Sequence, residues 1–360
     1  MRASASETMD LNSCTWMVRE LGEAVSCTLL LDDNTLLVGG WDGRIKYWSD
    51  EGDVLWEAQT PNRISSMVVQ DECIYATSGL HLVCLKQDSG EQVWNMALEG
   101  SADAVVSTAT CILAVSSVYD IEHNDFIESA IWAISFEGEL LQTHRMDERP
   151  WTLQPYNNGA IAGLGRPLNG YLILDNNGNI LEQNKDWESP TICSTSGENP
   201  VFGLADGSVC SLDGTALHSM DSAISNIVAH SNALLLADDR GRLVLLNDAK
   251  QWEVNGNAVV ALSFGFEINN HASCWVARWN GSQGALSVLS IEDGAELASL
   301  NSHRIHDVTF NGNRLAAGFE NGQVYVWEKD LFQRRLNQPA QASNDANRSA
   351  MFEKLRSLRK

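Results

Sequence analysis

Apolar and polar positions alternate along most of this chain, in short runs broken by turn residues. The segment Cys73 to Leu98, CIYATSGLHLVCLKQDSGEQVWNMAL, shows the pattern best. Ile74, Ala76, Leu82, Cys84, Val93 and Asn95 follow the period of two expected of half-buried strands. Ser78-Gly79-Leu80 interrupts the first run and Asp88-Ser89-Gly90 the second, both with turn chemistry. With Ile64 to Val69 in front, the segment reads as a meander of four strands.

The same unit occurs just upstream as TLLVGGWDGRIKYWSDEGDVLWEAQT, Thr35 to Thr60. A four-strand unit recurring about every 35–40 residues is the signature of a β-propeller. First strands are expected near Val25, Ile64, Ala104, Thr152, Thr191, Ile224, Val259 and Ile305. The expected fold class is therefore all-β, an eight-bladed propeller. Seven blades would result if the short, polar unit Thr191 to Met220 failed to form its own sheet. The last unit, RLAAGFENGQVYVWEKDLF from Arg314, has a poor fourth strand, because Gln333-Arg334-Arg335 is polar and Pro339 follows. Thr15 to Glu23, a strand with no partner before the first unit, is expected to fill that vacancy and join the chain ends. Closure of this kind removes exposed sheet edges.

The domain plan follows: 1–14 polar and without structure, 15–336 the propeller, 337–360 a linker and a short basic amphipathic helix. Trp48, Trp132 and Trp327 fall on third strands, and Trp56, Trp94 and Trp252 on fourth strands. They are read as wedges between blades rather than as ligand platforms.

Units one and two resemble the quinoprotein (PQQ-like) propeller repeat, in which the run matching DSGEQVW closes each blade. The last unit, NSHRIHDVTFNGNRLAAGFENGQVYVW, resembles a WD40 repeat. His303 and Trp327 stand where that repeat carries its His and Trp, and Asn321 stands where its buried Asp is usual. Asp42 and Trp48 match the Asp and Trp positions in the first unit, with no His before them. The resemblance spans about residues 15–336. It implies architecture more than role, because such propellers host many unrelated functions.

Quinoprotein dehydrogenases of this fold carry adjacent cysteines and a calcium site. None of the eight cysteines here are adjacent, and no Glu-Asn-Asp cluster stands at matching positions. No C-x-x-C, G-x-S-x-G, Walker loop or complete G-x-G-x-x-G is present. His303 and His306, three residues apart on a strand, point to opposite faces and make a poor zinc pair. The chain is accordingly expected not to be an enzyme and to hold no cofactor or metal.

Charge sharpens the reading. The chain carries a net −23, with seven Lys or Arg against two Asp or Glu from Leu331 to Lys360. That local +5 leaves −28 on residues 1–330, which repels nucleic acid and anionic membranes. At 44% hydrophobic residues and a mean hydropathy of −0.18 the composition is globular. No apolar run is long enough to span a membrane, no secretory signal is seen, and the cysteines lack paired spacing, so a cytoplasmic location is expected.

Binding is placed on loops. Turns between strands two and three share one face with the links between blades. Arg44, Arg63, Arg149, Arg166, Arg240, Arg278 and Arg304 fall there, with Trp41, Trp151 and Trp279 and the longest insertion, Tyr119 to Ser129, including His123. Turns between strands three and four carry acids such as Asp50, Asp88, Glu137 and Asp213, so the disc is expected to be polarised. The competing explanation is that Asp simply favours these turns and each Arg pairs with a local acid. In the tail, Met351, Leu355 and Leu358 with Phe352 form an apolar stripe edged by Arg348, Arg356 and Arg359. The expected function is a non-catalytic protein-interaction scaffold, monomeric within a complex, using the loop face and the tail. The alternative is a module for an anionic small molecule or a nucleic-acid-containing complex. Nucleic acid is expected, if at all, only through the tail.

Overall fold

The computed structural model describes residues 9–247, 251–268 and 271–336. Strands form eight sheets; within each blade neighbouring strands are antiparallel, with the blade's first strand innermost, and blades 1 to 7 each use four strands consecutive in the chain. Blades 1 to 8 span 25–59, 64–97, 101–146, 149–187, 191–219, 224–254, 258–302 and 305–328. The Thr191 unit forms its own sheet, Thr191–Ser194 through Ala216–Ser219, so the count is eight. Met17–Glu20 pairs antiparallel with the third strand of blade 8, Met17 opposite Val326 and Glu20 opposite Gln323. The chain's beginning thus completes its last blade.

Two features correct the sequence reading. Residues 1–14 were expected to lack structure, yet Met9–Asp10 pairs parallel with Ala298 and Ser299 on the outer edge of blade 7. Leu11–Cys14 then forms a 3-10 turn with Leu11 and Cys14 fully buried. The polar segment after Trp327 is not a failed strand but a helix, α1, Lys329–Leu336. Glu328 caps it, accepting from the Asp330 and Leu331 amides at 3.2 and 2.9 Å. Phe332 of α1 and Leu11 share a core cluster with Trp275 and Trp327. The expected tail helix and all its residues, Arg348 to Arg359, lie outside the described residues.

The blades are locked together by two repeated contacts. Trp56, Trp94 and Trp252 each donate an indole N–H to a carbonyl in the third-to-fourth-strand turn of the next blade. The acceptors are Gln87, Phe136 and Ile291, at 2.8, 2.9 and 2.8 Å. Gly90 and Gly138 lie under the first two indoles with φ of +69° and +89°, where a side chain would both strain the backbone and strike the ring. Nearer the axis, at four junctions the β-branched residue that opens a blade seats against the second strand of the blade before. Ile64, Thr191, Ile224 and Val25 fill the spaces over Gly39, Gly163, Gly203 and Gly318. All four glycines occupy the same repeat position, opposite Cys27, Thr152, Cys193 and Asp307.

Candidate binding face

Every first strand carries a register shift at one place, just inside the loop face. The extra residues are Ser26, Ser65, Asp103, Trp151, Ile192, Ser225, Val260 and His306. A bulge re-aims a side chain out of the ladder. Repeated around the ring, it gives the channel mouth a collar of eight residues, no two neighbouring blades alike except Ser26 and Ser65.

The residue two places before each bulge stands on the same rim, and in blades 2, 4 and 8 it is Arg63, Arg149 and Arg304. Each guanidinium covers an aromatic ring. Arg63 lies 3.9 Å from the centroid of Trp41, and Arg304 5.6 Å from that of Trp279. Arg149 is held between Phe126 at 3.4 Å and Trp151 at 3.8 Å. Burial lowers the pKa of Arg63 and of Arg149, but both remain cationic at any physiological pH. Arg149 approaches Asp103 only to 3.6 Å, and its Nε is buried without a partner. The Nε of Arg304 is likewise buried and unpartnered.

Other residues picked from the sequence have different tasks. Arg44 pairs with Asp42 and Glu57 at 3.6 and 3.3 Å and donates to the Leu21 carbonyl at 3.2 Å, fastening the link after the closing strand. Arg278 donates to the carbonyls of Gly241 and Asn257 at 2.7 and 2.6 Å, a bracket between blades 6 and 7. For these two the structural explanation holds. His123 sits at the tip of the blade 3 hairpin, 2.7 Å from Asp120. Tyr119 packs edge-on to Phe126 at 5.1 Å, so the hairpin reaches the Arg149 stack through Phe126. Arg166 lines, with Arg149, Trp151, Phe126 and Ile192, a cleft of about 440 Å³ between blades 3, 4 and 5. Asp125 and Asp147 stand on its edge.

Sequence reasoning missed His306 and Phe126. His306 meets Trp41 at 5.8 Å between ring centroids, across the junction that closes the ring. No local motif could signal it, because the two residues belong to the last and first blades. The expected polarity of the disc also needs correction. Acids stand on the Arg face too, at Asp42, Asp147, Asp206, Asp221, Asp239 and Glu320. Four of these six lie on blades 3 to 6 or the links between them, and Asp206, like Asp42 in blade 1, accepts from an amide of its own turn. The links before blades 2, 7 and 8, at 60–63, 255–257 and 303–304, carry none.

His303 is exposed and does not reach Trp327, whose indole N–H instead donates to the Leu11 carbonyl at 3.0 Å. The WD40-like hydrogen-bonded set is thus replaced here by the N-terminal segment. Among the described residues no group of His, Cys, Asp or Glu is arranged to hold a metal ion, and no helix is long and apolar enough to cross a membrane.

In fold and repeat, the chain resembles the β-propellers of the WD40 and quinoprotein-like kind. Residues 10–165 match the PQQ-like family model described as outer membrane protein assembly factor BamB. Among solved structures, BamB from Moraxella catarrhalis is similar with a TM-score of 0.69 at 14% identity, covering 87% of this chain and 99% of that one. Sqt1 of Saccharomyces cerevisiae matches with a TM-score of 0.68 at 12% identity, over 89% and 99%. The computationally designed Ika8 protein gives 0.67 at 16% identity, over 86% and 98%. At these identities the likeness is one of fold. No curated protein matches the sequence.

Proposed function

We propose that this protein is a non-catalytic scaffold that binds a protein partner on the loop face. The observation that carries the reading is the repeated guanidinium–aromatic pair at Arg63, Arg149 and Arg304. These arginines occur in three of eight equivalent positions, so the repeat itself does not require them. Exposed Trp with Arg is the composition that dominates protein interfaces. Trp41 and Trp151 are 42% and 43% exposed on an otherwise polar rim. A rigid ring that displays loops from eight blades suits this task. The assembly factor named by the matching family model is in keeping with a scaffold. The basic tail, 343–360, serves as a second contact, and the whole acts in the cytoplasm.

The test is affinity purification from the native cell with the full chain, with R149E/R304E, and with 343–360 deleted. Partners lost with the double charge reversal, at unchanged melting temperature, support the face. Full retention by R149E/R304E removes it from the function.

A further inference from the structure

Within the loop face, one arc of the mouth has an incomplete set of polar contacts. At the junction of blades 8, 1 and 2, the guanidinium groups of Arg63 and Arg304 have no hydrogen-bonded acid among the described residues. Between them stand Trp41 and His306, with the collar hydroxyls of Ser26 and Ser65 next in the ring. The carboxylates nearest the arc are engaged elsewhere or peripheral: Asp42 pairs with Arg44, Glu23 accepts from its neighbouring amide, and Asp103, whose charge also acts on Arg63, pairs with Arg149 at 3.6 Å. Glu320 is the acid that faces His306, against Arg304 and Arg63 on the other side.

We propose that Arg63, Arg304, His306 and Trp41 form a subsite for a carboxylate side chain on an extended acidic segment of the protein partner. The inference rests on the scaffold reading and specifies the chemistry recognised. A carboxylate supplies the planar acceptor that a guanidinium fork lacks here. Phosphate of a nucleic acid is disfavoured because its bases need aromatic faces to stack upon, and Arg63 already occupies one face of the Trp41 ring, with His306 tilted against it at 5.8 Å.

His306 adds a signature. Burial first, then the charges of Arg304 and Arg63, hold its imidazole below the ordinary value, with Glu320 opposing. A bound carboxylate favours the protonated ring, so its pKa rises in the complex. Affinity therefore strengthens as pH falls through the pKa of the bound state, with uptake of protons.

The experiment is titration calorimetry of the full chain with a deca-glutamate peptide at low salt, at two pH values and in buffers of different ionisation enthalpy. Arms with inorganic phosphate and with deca-thymidylate separate the sources of negative charge. Binding that weakens tenfold or more in R63A/R304A, and is unchanged in R240A, is expected. R63K/R304K preserves charge and fold while losing the fork, and should weaken binding several-fold. H306Q should keep binding but lose the proton uptake. Equal affinity for wild type and R63A/R304A overturns the proposal, as does deca-thymidylate binding equally through the same arginines. Partner capture that survives R63A/R304A but not R149E/R304E overturns the subsite and leaves the scaffold face standing.

Discussion

Arg63 lies over Trp41 at 3.9 Å across the junction of blades 1 and 2, and Arg304 lies over Trp279, more loosely at 5.6 Å, across the junction of blades 7 and 8. In each case the last residue of the link into one blade covers a Trp at the end of the second strand of the blade before. The pairing holds a guanidinium on the rim against an indole face. Arginine held this way loses less freedom on binding a planar acceptor than a free side chain does.

If the stacks serve binding rather than folding, their loss should scarcely affect stability. A cation–π contact at an exposed site contributes about 0.5–1 kcal/mol. R63A and W41A are each expected to lower the midpoint of thermal unfolding by less than about 2 °C, given how weakly one kcal/mol moves a chain of this size. A shift several times larger in differential scanning calorimetry would make the pair a structural clamp.

The glycines under the blade-opening residues make the opposite prediction. A Cβ on Gly318 would lie 2.3 Å from Cγ1 of Val25, at the seam between the last and first blades. G318A is expected to cost about 1–3 kcal/mol by overpacking. Trimming the facing residue should restore part of it, so V25A/G318A should be less destabilised than the two single changes summed. Urea unfolding of the four proteins completes the cycle, and strict additivity would show that the seam relaxes freely.

These contacts mark what could be read from the chain. The blade starts at Val25, Ile64, Thr191, Ile224 and Ile305 were legible because alternation and turn residues recur in each unit. The closing strand was legible because a blade with three strands leaves an edge to fill. Leu11 and Cys14 were not, since two apolar residues in a four-residue turn carry no period. Helix α1 was hidden because Phe332 is buried between charged and polar neighbours, and Gln333-Arg334-Arg335 reads as loop. His306 acquires its surroundings from Trp41, at the far end of the sequence. Local pattern specifies the repeat, whereas departures from it depend on what the ring brings together.

Asp307 gives a pH test of the seam. One carboxylate oxygen accepts from the Thr28 amide at 2.6 Å and from its hydroxyl at 2.9 Å, and the other from the Val308 amide at 2.9 Å. Burial nevertheless holds this carboxyl above its ordinary value. A raised folded-state pKa favours the protonated form. Its stabilising effect is present below the unfolded pKa of about 3.9 and is lost as pH rises through the folded value. D307N cannot titrate and retains an acceptor for the Thr28 amide. Its stability relative to wild type should therefore increase across that window and level off above it. D307A leaves the amide without an acceptor and should be less stable than D307N by about 1–3 kcal/mol at every pH. A D307N difference independent of pH between 3 and 7 would refute the assignment.

The two N-terminal elements should separate on truncation. Removing residues 1–15 strips Leu11 and Cys14 from the core beside Trp327 and leaves the Trp327 indole without the Leu11 carbonyl. It spares Met17–Glu20, so the ring stays closed. The chain should remain cooperative, with stability reduced by about 3–5 kcal/mol from one buried leucine and one orphaned donor. W327F loses the N–H together with half of the buried indole, so it should cost about 1 kcal/mol or more in the full chain and less after residues 1–15 are removed. Removing residues 1–22 also takes the fourth strand of blade 8, exposing the edge Gln323–Glu328. An unpaired edge beside an open seam favours association between chains. That variant should unfold over a broader range and aggregate at micromolar concentration, as read by light scattering. If it stays monomeric with the midpoint of the 1–15 deletion, closure by the first strand contributes nothing to the ring.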